Sequence, residues 1–428
     1  MRRLPVVVLA CAALTVSTVT GVVASGSIAS ATTSSTPIIV GGDGDVAIAP
    51  GIAQGFEAGI YRFNKAGGLD GRKIEFVGFL DDSFSAQTAL TNAQELVQDK
   101  HVSFVAPVLS DVATGATGTY LAQQKVPFIG WATDAAFATA PQWGFSIDGN
   151  QTNPNIQDIT VADTLAITGF KKPSQVKEAY IGENIAGAIV SNNALADASK
   201  DGGVDVVYQK SPIAVLGTTS YAPYAQAVIQ SGANTVFETL DSNDAIGLAA
   251  ALHAADFKGS IINGVTYYPG TLASQPNEAS ALNGVYVLDD FPSNQNATPA
   301  VKQEISDLKA VGAPPNLSSG PSIGYWSAIL LEEMLKATLK SEGGNPNLVT
   351  GASLDKIVNK GFTYTDALAG GVGTEYFPGG AETGPTGCNT VLKTVGTNFK
   401  QITPFRCLGA LNVVKRKVMN QKTGKLES

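Results

Sequence analysis

Asn64-Lys-Ala-Gly-Gly-Leu-Asp-Gly-Arg-Lys-Ile-Glu-Phe-Val77 decides how the chain is read. Just before it, Ile52, Phe56, Ile60 and Phe63 recur at helical spacing, so Gly51 to Asn64 reads as an amphipathic helix. Ala66 to Gly71 is glycine-rich with one Asp, which is turn chemistry. Lys73 to Leu80 then reads as a strand rich in Ile, Phe and Val. Working outward, Pro37 to Gly41 is a short apolar run, a buried strand upstream of the helix. Downstream, helix Ala86 to Gln98, strand Val102 to Pro107, helix Ala113 to Gln124 and strand Val126 to Gly130 continue the alternation. Strand–helix–strand order predicts a parallel sheet covered by helices on both faces. Ligands of such sheets bind beyond the carboxyl ends of the strands.

The order restarts after the polar stretch Asn150 to Asn155. Helix Asp163 to Thr168 precedes strand Glu178 to Gly182, helix Ala186 to Asp201 and strand Val204 to Tyr208. Helix Tyr221 to Ser231, strand Thr235 to Glu238, helix Asn243 to Ala255 and strands Ser260 to Asn263 and Gly284 to Leu288 complete a second α/β unit. Two helical patterns follow with no strand between them, Thr298 to Ala310 and Gly324 to Leu339. Having no sheet of their own, they are expected to pack back on the first unit. Near the C-terminus two β-rich runs flank Gly396-Thr397-Asn398 and read as a hairpin. Cys388 and Cys407 fall at its open end, which predicts a disulfide between them.

The chain has 428 residues, room for two or three domains. It is 44% hydrophobic and 15% charged, a composition that excludes a disordered chain. Its 28 Lys and Arg against 36 Asp and Glu give a formal charge of −8, which argues against nucleic-acid binding. Two His and three Cys exclude a histidine-rich metal site and a four-cysteine zinc site; no metal and no cofactor is expected. Arg2 and Arg3, the apolar run Leu4 to Ala13 and Ala29-Ser30-Ala31 follow the order of an export signal, so residues 1–31 are read as a cleaved signal peptide. Ser17, Thr18 and Thr20 interrupt the run and oppose a membrane anchor. Val8-Leu9-Ala10-Cys11 loosely resembles a lipobox, so lipidation at Cys11 is the alternative to a free exported protein.

Three stretches carry a family resemblance. Asn64 to Val77, followed by Asp81-Asp82, resembles the N-A-A-G-G-I-N-G-R-K-I-E pattern and acidic pair of type I periplasmic substrate-binding proteins. Asp99 to Ser110, then Gln124 to Thr133, is similar to the family's strand, serine loop, helix and V-P-x-I strand with an Ala/Thr loop. Gly324 to Ala337 is similar to the family's G-Y-D-A helix. The nearest group is the Leu/Ile/Val-binding type of ABC transporter receptor. The resemblance implies two Rossmann-like α/β lobes joined by three crossover segments, closing on a small ligand in the cleft. Lobe one is expected to comprise residues 37–167 and 292–370, lobe two residues 168–291 and 371–428, with crossings near Ile167, Phe291 and Gly371. ABC permease subunits are the implied partners, and a monomer the implied state.

The ligand residues are read loop by loop. Ser110 ends a strand before a helix, where its hydroxyl and free helix amides suit a carboxylate; the resemblance gives a serine there that role. A plain N-cap is the competing reading. Ala132 and Thr133 match the Ala/Thr loop that holds an amino-acid head. Trp131 is placed to stack on a ligand or to pack at the rim. From lobe two, Glu183, Asn184, Asp241, Thr266 and Tyr267 follow strand carboxyl ends. Where the family places an acid for the ligand's ammonium, this chain has Val265-Thr266-Tyr267. Either Asp241 or Glu183 then supplies the charge, or the ligand has no ammonium, since burying an unpaired ammonium is costly.

Other motifs fail on physical grounds. Gly320-Pro-Ser-Ile-Gly324 matches a hydrolase nucleophile elbow, but both histidines, His101 and His253, precede Ser322. Gly42-Asp-Gly-Asp-Val-Ala47 places two acids where a dinucleotide's pyrophosphate would lie. Glu332-Glu333 is read as a solvated helix face. The expected function is a non-enzymatic solute receptor for an amino-acid-like, amide or carboxylate ligand. A sensory receptor subunit and an exported enzyme on the same scaffold are the alternatives.

Overall fold

A computed structural model describes residues 36–109, 114–132, 135–137, 142–150, 156–158, 160–215, 217–264, 267, 269–274, 276–296, 298–365, 374–377, 388–407, 410–412, 417–420 and 425–427. The first half contains strands β1 (Ile38–Gly44), β2 (Ile74–Asp81), β3 (Phe104–Leu109), β4 (Phe128–Ala132) and β5 (Gly144–Asn150). They form one parallel sheet in the order β2-β1-β3-β4-β5. Helices α1 (Ile52–Lys65), α2 (Ala86–Gln94) and α3 (Thr114–Gln123) connect them. As the spacing predicts, α1 buries Ile52, Phe56, Ile60 and Phe63. Strand β5 has no counterpart in the sequence reading; its signal is the short alternation Phe145, Ile147, both buried at the sheet edge.

The Asn64–Val77 stretch explains itself in contacts. The Asn64 amide donates to the Ile74 carbonyl at 2.7 Å and accepts the Ile74 N–H at 2.8 Å, joining the end of α1 to the start of β2. Gly68 has φ +68°, and a Cβ there would lie 2.4 Å from the Arg72 carbonyl, so the turn requires glycine. The Arg72 guanidinium reaches the carbonyls of Thr36, Pro346 and Val349 at 2.8–2.9 Å, binding segments far apart in sequence.

The second half begins with β6 (Ile156–Asp158) and α4 (Val161–Thr168). Then follow β7 (Lys177–Glu183), α5 (Ala186–Asp201), β8 (Asp205–Ile213), α6 (Ala222–Gln230), β9 (Thr235–Thr239), α7 (Ser242–Ala254), β10 (Ser260–Asn263), α8 (Pro269–Ser274), α9 (Pro276–Ala281) and β11 (Tyr286–Asp289). Strands β8, β7, β9, β10 and β11 lie parallel in that spatial order. Ile167 of α4 packs with Tyr180, Phe237 and Leu288 in this sheet's core.

Helices α10 (Pro299–Ala310), α11 (Ser319–Ser341) and α12 (Gly351–Val358) come next. They return to the first sheet, as expected of helices without strands of their own: α11 packs on α1 and on β3, β4 and β5, α10 packs on α1, and α12 packs on α11. Close approach of α1 and α11 depends on glycine. A Cβ on Gly324 would lie 1.9 Å from the Ile52 carbonyl, and one on Gly55 1.9 Å from that of Pro321. Helix α11 starts at Ser319 rather than Gly324, because Pro321 falls in its first turn, where no N–H is needed. Ser322 is buried there and its hydroxyl donates to Glu304 at 2.9 Å, a structural role for the elbow-like motif. Glu332 departs from the solvated-face expectation: it is buried, 3.4 Å from Lys336 and 3.8 Å from Arg62, which compensate its charge.

After the ladder of β12 (Phe362–Thr365) and β13 (Thr374–Phe377), β14 (Cys388–Val395) joins the second sheet antiparallel to β11. Its hairpin partner β15 (Asn398–Gln401) forms as predicted around Gly396 and Thr397. Strand β16 (Arg406–Cys407) also pairs with β14, placing Cys407 opposite Cys388 and Arg406 opposite Asn389. Strands β17 (Ala410–Asn412), β18 (Lys417–Asn420) and β19 (Lys425–Glu427) continue onto β6. The fold is therefore α/β with two lobes, each closed by chain from the far side of a crossover. Among the described residues, no helix is long and apolar enough to cross a membrane.

Candidate functional site

The carboxyl ends of strands from both lobes border one cleft. Leu109 at the end of β3 and Trp131 in β4 line it from the first lobe; Glu183, Thr239, Asp241 and Gly264 line it from the ends of β7, β9 and β10. Asp290 beyond β11, Asn389 on β14, and Gly187, Ala188 and Ser191 in the helix that follows β7 also line the second-lobe wall. Buried Trp131 meets buried Phe291 edge-on, with ring centroids 6.2 Å apart.

The acids of the second lobe are organised by backbone. Buried Glu183 accepts the Asp241 N–H at 2.7 Å. Asp241 caps α7, its carboxylate accepting the N–H groups of Asn243 and Asp244 at 2.8 and 2.9 Å. Asp244 accepts the Tyr221 hydroxyl at 2.5 Å. Oxygens of Glu183, Asp241 and Asp244 lie within 4.8 Å of one another. Burial, and then the Asp241 carboxylate, holds Asp244 above the usual carboxylate range, while the Tyr221 hydroxyl pulls it down. Among the described lining residues none is Lys, Arg or His, so this wall is acceptor-rich. A second acidic group, Asp45, Asp81 and Asp82, has the proximity a cation needs, but its carboxylates brace turns: Asp45 accepts the N–H groups of Ala47 and Ile48, and Asp82 that of Phe84.

Of the residues singled out from sequence, the structure brings Trp131, Glu183 and Asp241 together at the cleft. Asn184 is exposed, its N–H donating to the Ile213 carbonyl at 2.7 Å. Tyr267 is buried away from the lining: its hydroxyl donates to Gln295 at 2.9 Å and accepts the Asn294 N–H at 3.1 Å, and its ring packs on Phe399 at 4.9 Å. Ala132 ends β4. Ser110, Thr133 and Thr266 lie outside the described residues. Sequence reading missed Thr239, Asp244, Asp290 and Asn389. Thr239 ends β9 and Asp290 follows β11, so both were findable by that rule; Asp244 lies in the first turn of α7, and Asn389 comes from a strand added late in the chain.

Two parallel-sheet lobes presenting strand ends to a shared cleft define a bilobal ligand-binding protein. A model of the family described as periplasmic binding protein matches residues 38–377, and the chain belongs to that family. No curated protein sequence matches it. Among solved structures it is similar to an ABC transporter solute-binding protein from R. palustris in complex with benzoate, at 16% identity, TM-score 0.64, covering 87% of this chain and 98% of that one. It is similar to a fatty acid ABC transporter substrate-binding protein from Thermomonospora curvata, at 17% identity, TM-score 0.68, covering 90% and 95%. It is also similar to a branched chain amino acid ABC transporter protein from Thermus thermophilus with bound valine, at 15% identity, TM-score 0.66, covering 87% and 96%. These likenesses establish the fold.

Proposed function

We propose that the chain is the extracytoplasmic solute-binding component of an ABC importer, binding a small amino-acid-like, amide or carboxylate solute between its lobes and presenting it to permease subunits. The observation that carries this is the shared cleft, where first-lobe Trp131 and second-lobe Glu183 and Asp241 line one space. A solute touching both walls binds the closed form better and shifts the equilibrium toward it. Similar structures named for benzoate, fatty acid and valine support a small organic solute.

In this reading Ser110, Ala132 and Thr133 hold one end of the solute, and Glu183 and Asp241, with Asn184, Thr266 and Tyr267 in or behind the same loops, hold the other. Residues 1–31 direct export. We place the first crossing a little ahead of Ile167, because that side chain belongs to the second sheet's core; the other limits follow the sequence reading. Cys388 and Cys407 form a disulfide, supported by their direct pairing in the β14–β16 ladder. The protein is a receptor rather than an enzyme. A thermal-shift screen of amino acids, amides, ureas and aromatic acids tests the proposal, since a cleft solute raises the melting temperature by mass action. Absence of any hit, with turnover of a substrate instead, overturns it.

A further inference from the structure

We propose that Asn389, on the C-terminal strand β14, reads the solute directly: its side-chain carbonyl accepts a hydrogen bond from an N–H or O–H donor on the ligand. This rests on the receptor reading above and narrows it to solutes that carry such a donor at this end of the cleft.

The orientation of the Asn389 amide is fixed by chemistry. Its Nδ2 donates to Asp163 Oδ2 at 2.7 Å, and the other oxygen of Asp163 accepts the Arg406 guanidinium. A carboxylate held by a guanidinium is an acceptor, so only the nitrogen end of the amide suits it; a flipped amide would set oxygen against oxygen. Asp163 is itself fully buried, so this arrangement is not traded against water. The carbonyl Oδ1 therefore takes the opposite side. Asn389 is 1% exposed, and this oxygen meets no donor among the described residues. A buried acceptor without a partner is costly to maintain. Because Asn389 lines the cleft, an occupant that donates to Oδ1 removes that cost.

The support behind Asn389 is rigid. Asn389 and Arg406 are opposite one another in the β14–β16 ladder, so both strands of that ladder grip Asp163 on α4. The amide's orientation is thus held before a ligand arrives, and it need not be fixed on binding. The other polar groups on the described second-lobe wall include Glu183, Asp241 and Asp290, also acceptors when ionised, with no basic side chain among the described lining residues. A donor-bearing solute fits this wall; one offering only acceptors here does not.

The test uses the full exported protein and probe pairs in which methylation removes every N–H or O–H donor at one end: benzamide with N,N-dimethylbenzamide, 4-hydroxybenzoate with 4-methoxybenzoate, and valine with its N,N,N-trimethyl betaine. The pair giving the largest thermal shift is titrated by calorimetry into wild type and Asn389→Leu. The expected result is a loss of roughly tenfold or more for the donor-bearing probe and about twofold or less for its blocked partner. Equal losses for both, or no loss, overturn the assignment. If Asn389→Leu fails to fold, Asp163→Asn gives the same readout: without the carboxylate the amide is free to turn, and the preference for the donor-bearing probe falls. An unchanged preference overturns the proposal. Failure of the receptor reading is distinct, appearing as no binding of any probe to wild type, and it overturns this assignment with it.

Discussion

The Glu183 carboxylate accepts the backbone N–H of Asp241 at 2.7 Å, tying the end of β7 to the residue that caps α7. Two acids from neighbouring strand ends thereby share one wall of the cleft without a cation beside them among the described lining residues.

Asp241 carries two duties that substitution can separate. Asp241→Ala removes the cap of α7, at a cost of about 1 kcal/mol, as well as the charge. Asp241→Asn keeps a good cap and removes only the charge. Both variants are expected to weaken solute binding by roughly tenfold or more, while only the alanine variant melts clearly lower. Calorimetry with the best solute and a melting curve for each variant check this. Unchanged affinity in both removes Asp241 from the site.

Glu304 gives a pH dependence with a definite sign. Burial pushes its carboxyl up to about 8, against the opposing hydrogen bond from Ser322 and with Asp289 nearby adding to the rise. A folded pKa above the unfolded one stabilises the native state below the unfolded pKa, and that contribution is lost as pH rises through the window up to about 8. Glu304→Gln retains an acceptor for Ser322 and cannot ionise. Its stability relative to wild type is expected to increase between pH 5 and pH 8 by on the order of 1–3 kcal/mol. Urea unfolding at several pH values measures the difference; a constant offset would show that Glu304 does not titrate in this range.

The packing of α1 on α11 predicts intolerance to a single methyl group. Gly324→Ala drives a Cβ into the Ile52 carbonyl, which is backbone and cannot rotate away. The expected destabilisation is about 1–3 kcal/mol or more. An exposed glycine with open space, such as Gly115, is the control. Equal melting temperatures for the two alanine variants would mean the helices are not so closely apposed.

Cys388 and Cys407 stand opposite each other in the β14–β16 ladder. The exported protein is expected to contain no alkylatable thiol until it is reduced and unfolded. Replacing both cysteines by Ser is expected to cost roughly 2–4 kcal/mol, the usual value for closing a loop of this size. Mass spectrometry after alkylation decides between a bridge and two free thiols.

The periodic elements were legible in the sequence because local pattern and tertiary role agree in them. Helix α1 shows its buried face as Ile52, Phe56, Ile60 and Phe63, and β3 is an unbroken apolar run, buried from Phe104 to Leu109. Strand β5 was hidden because an edge strand carrying only Phe145 and Ile147 gives too short an alternation. The burial of Glu332 was hidden because its partner Arg62 lies on another helix, beyond the reach of local spacing. The site divides the same way. Glu183 and Asp241 follow recognisable strand ends. Asn389 enters from a hairpin that reaches the sheet through long-range pairing with β11, and no local signal announces such a partner.

That late pairing also constrains how the molecule can mature. The first lobe's core is unfinished until α11 arrives, and the second sheet lacks β14 until the chain is nearly complete. Neither lobe can close its core from a contiguous stretch of sequence. Made in order, the chain holds apolar sheet faces uncovered until its last quarter appears, which favours folding after synthesis rather than during it. A fragment ending before α10 would strand both lobes at once, and proteolysis of an interrupted chain would find no finished half to spare.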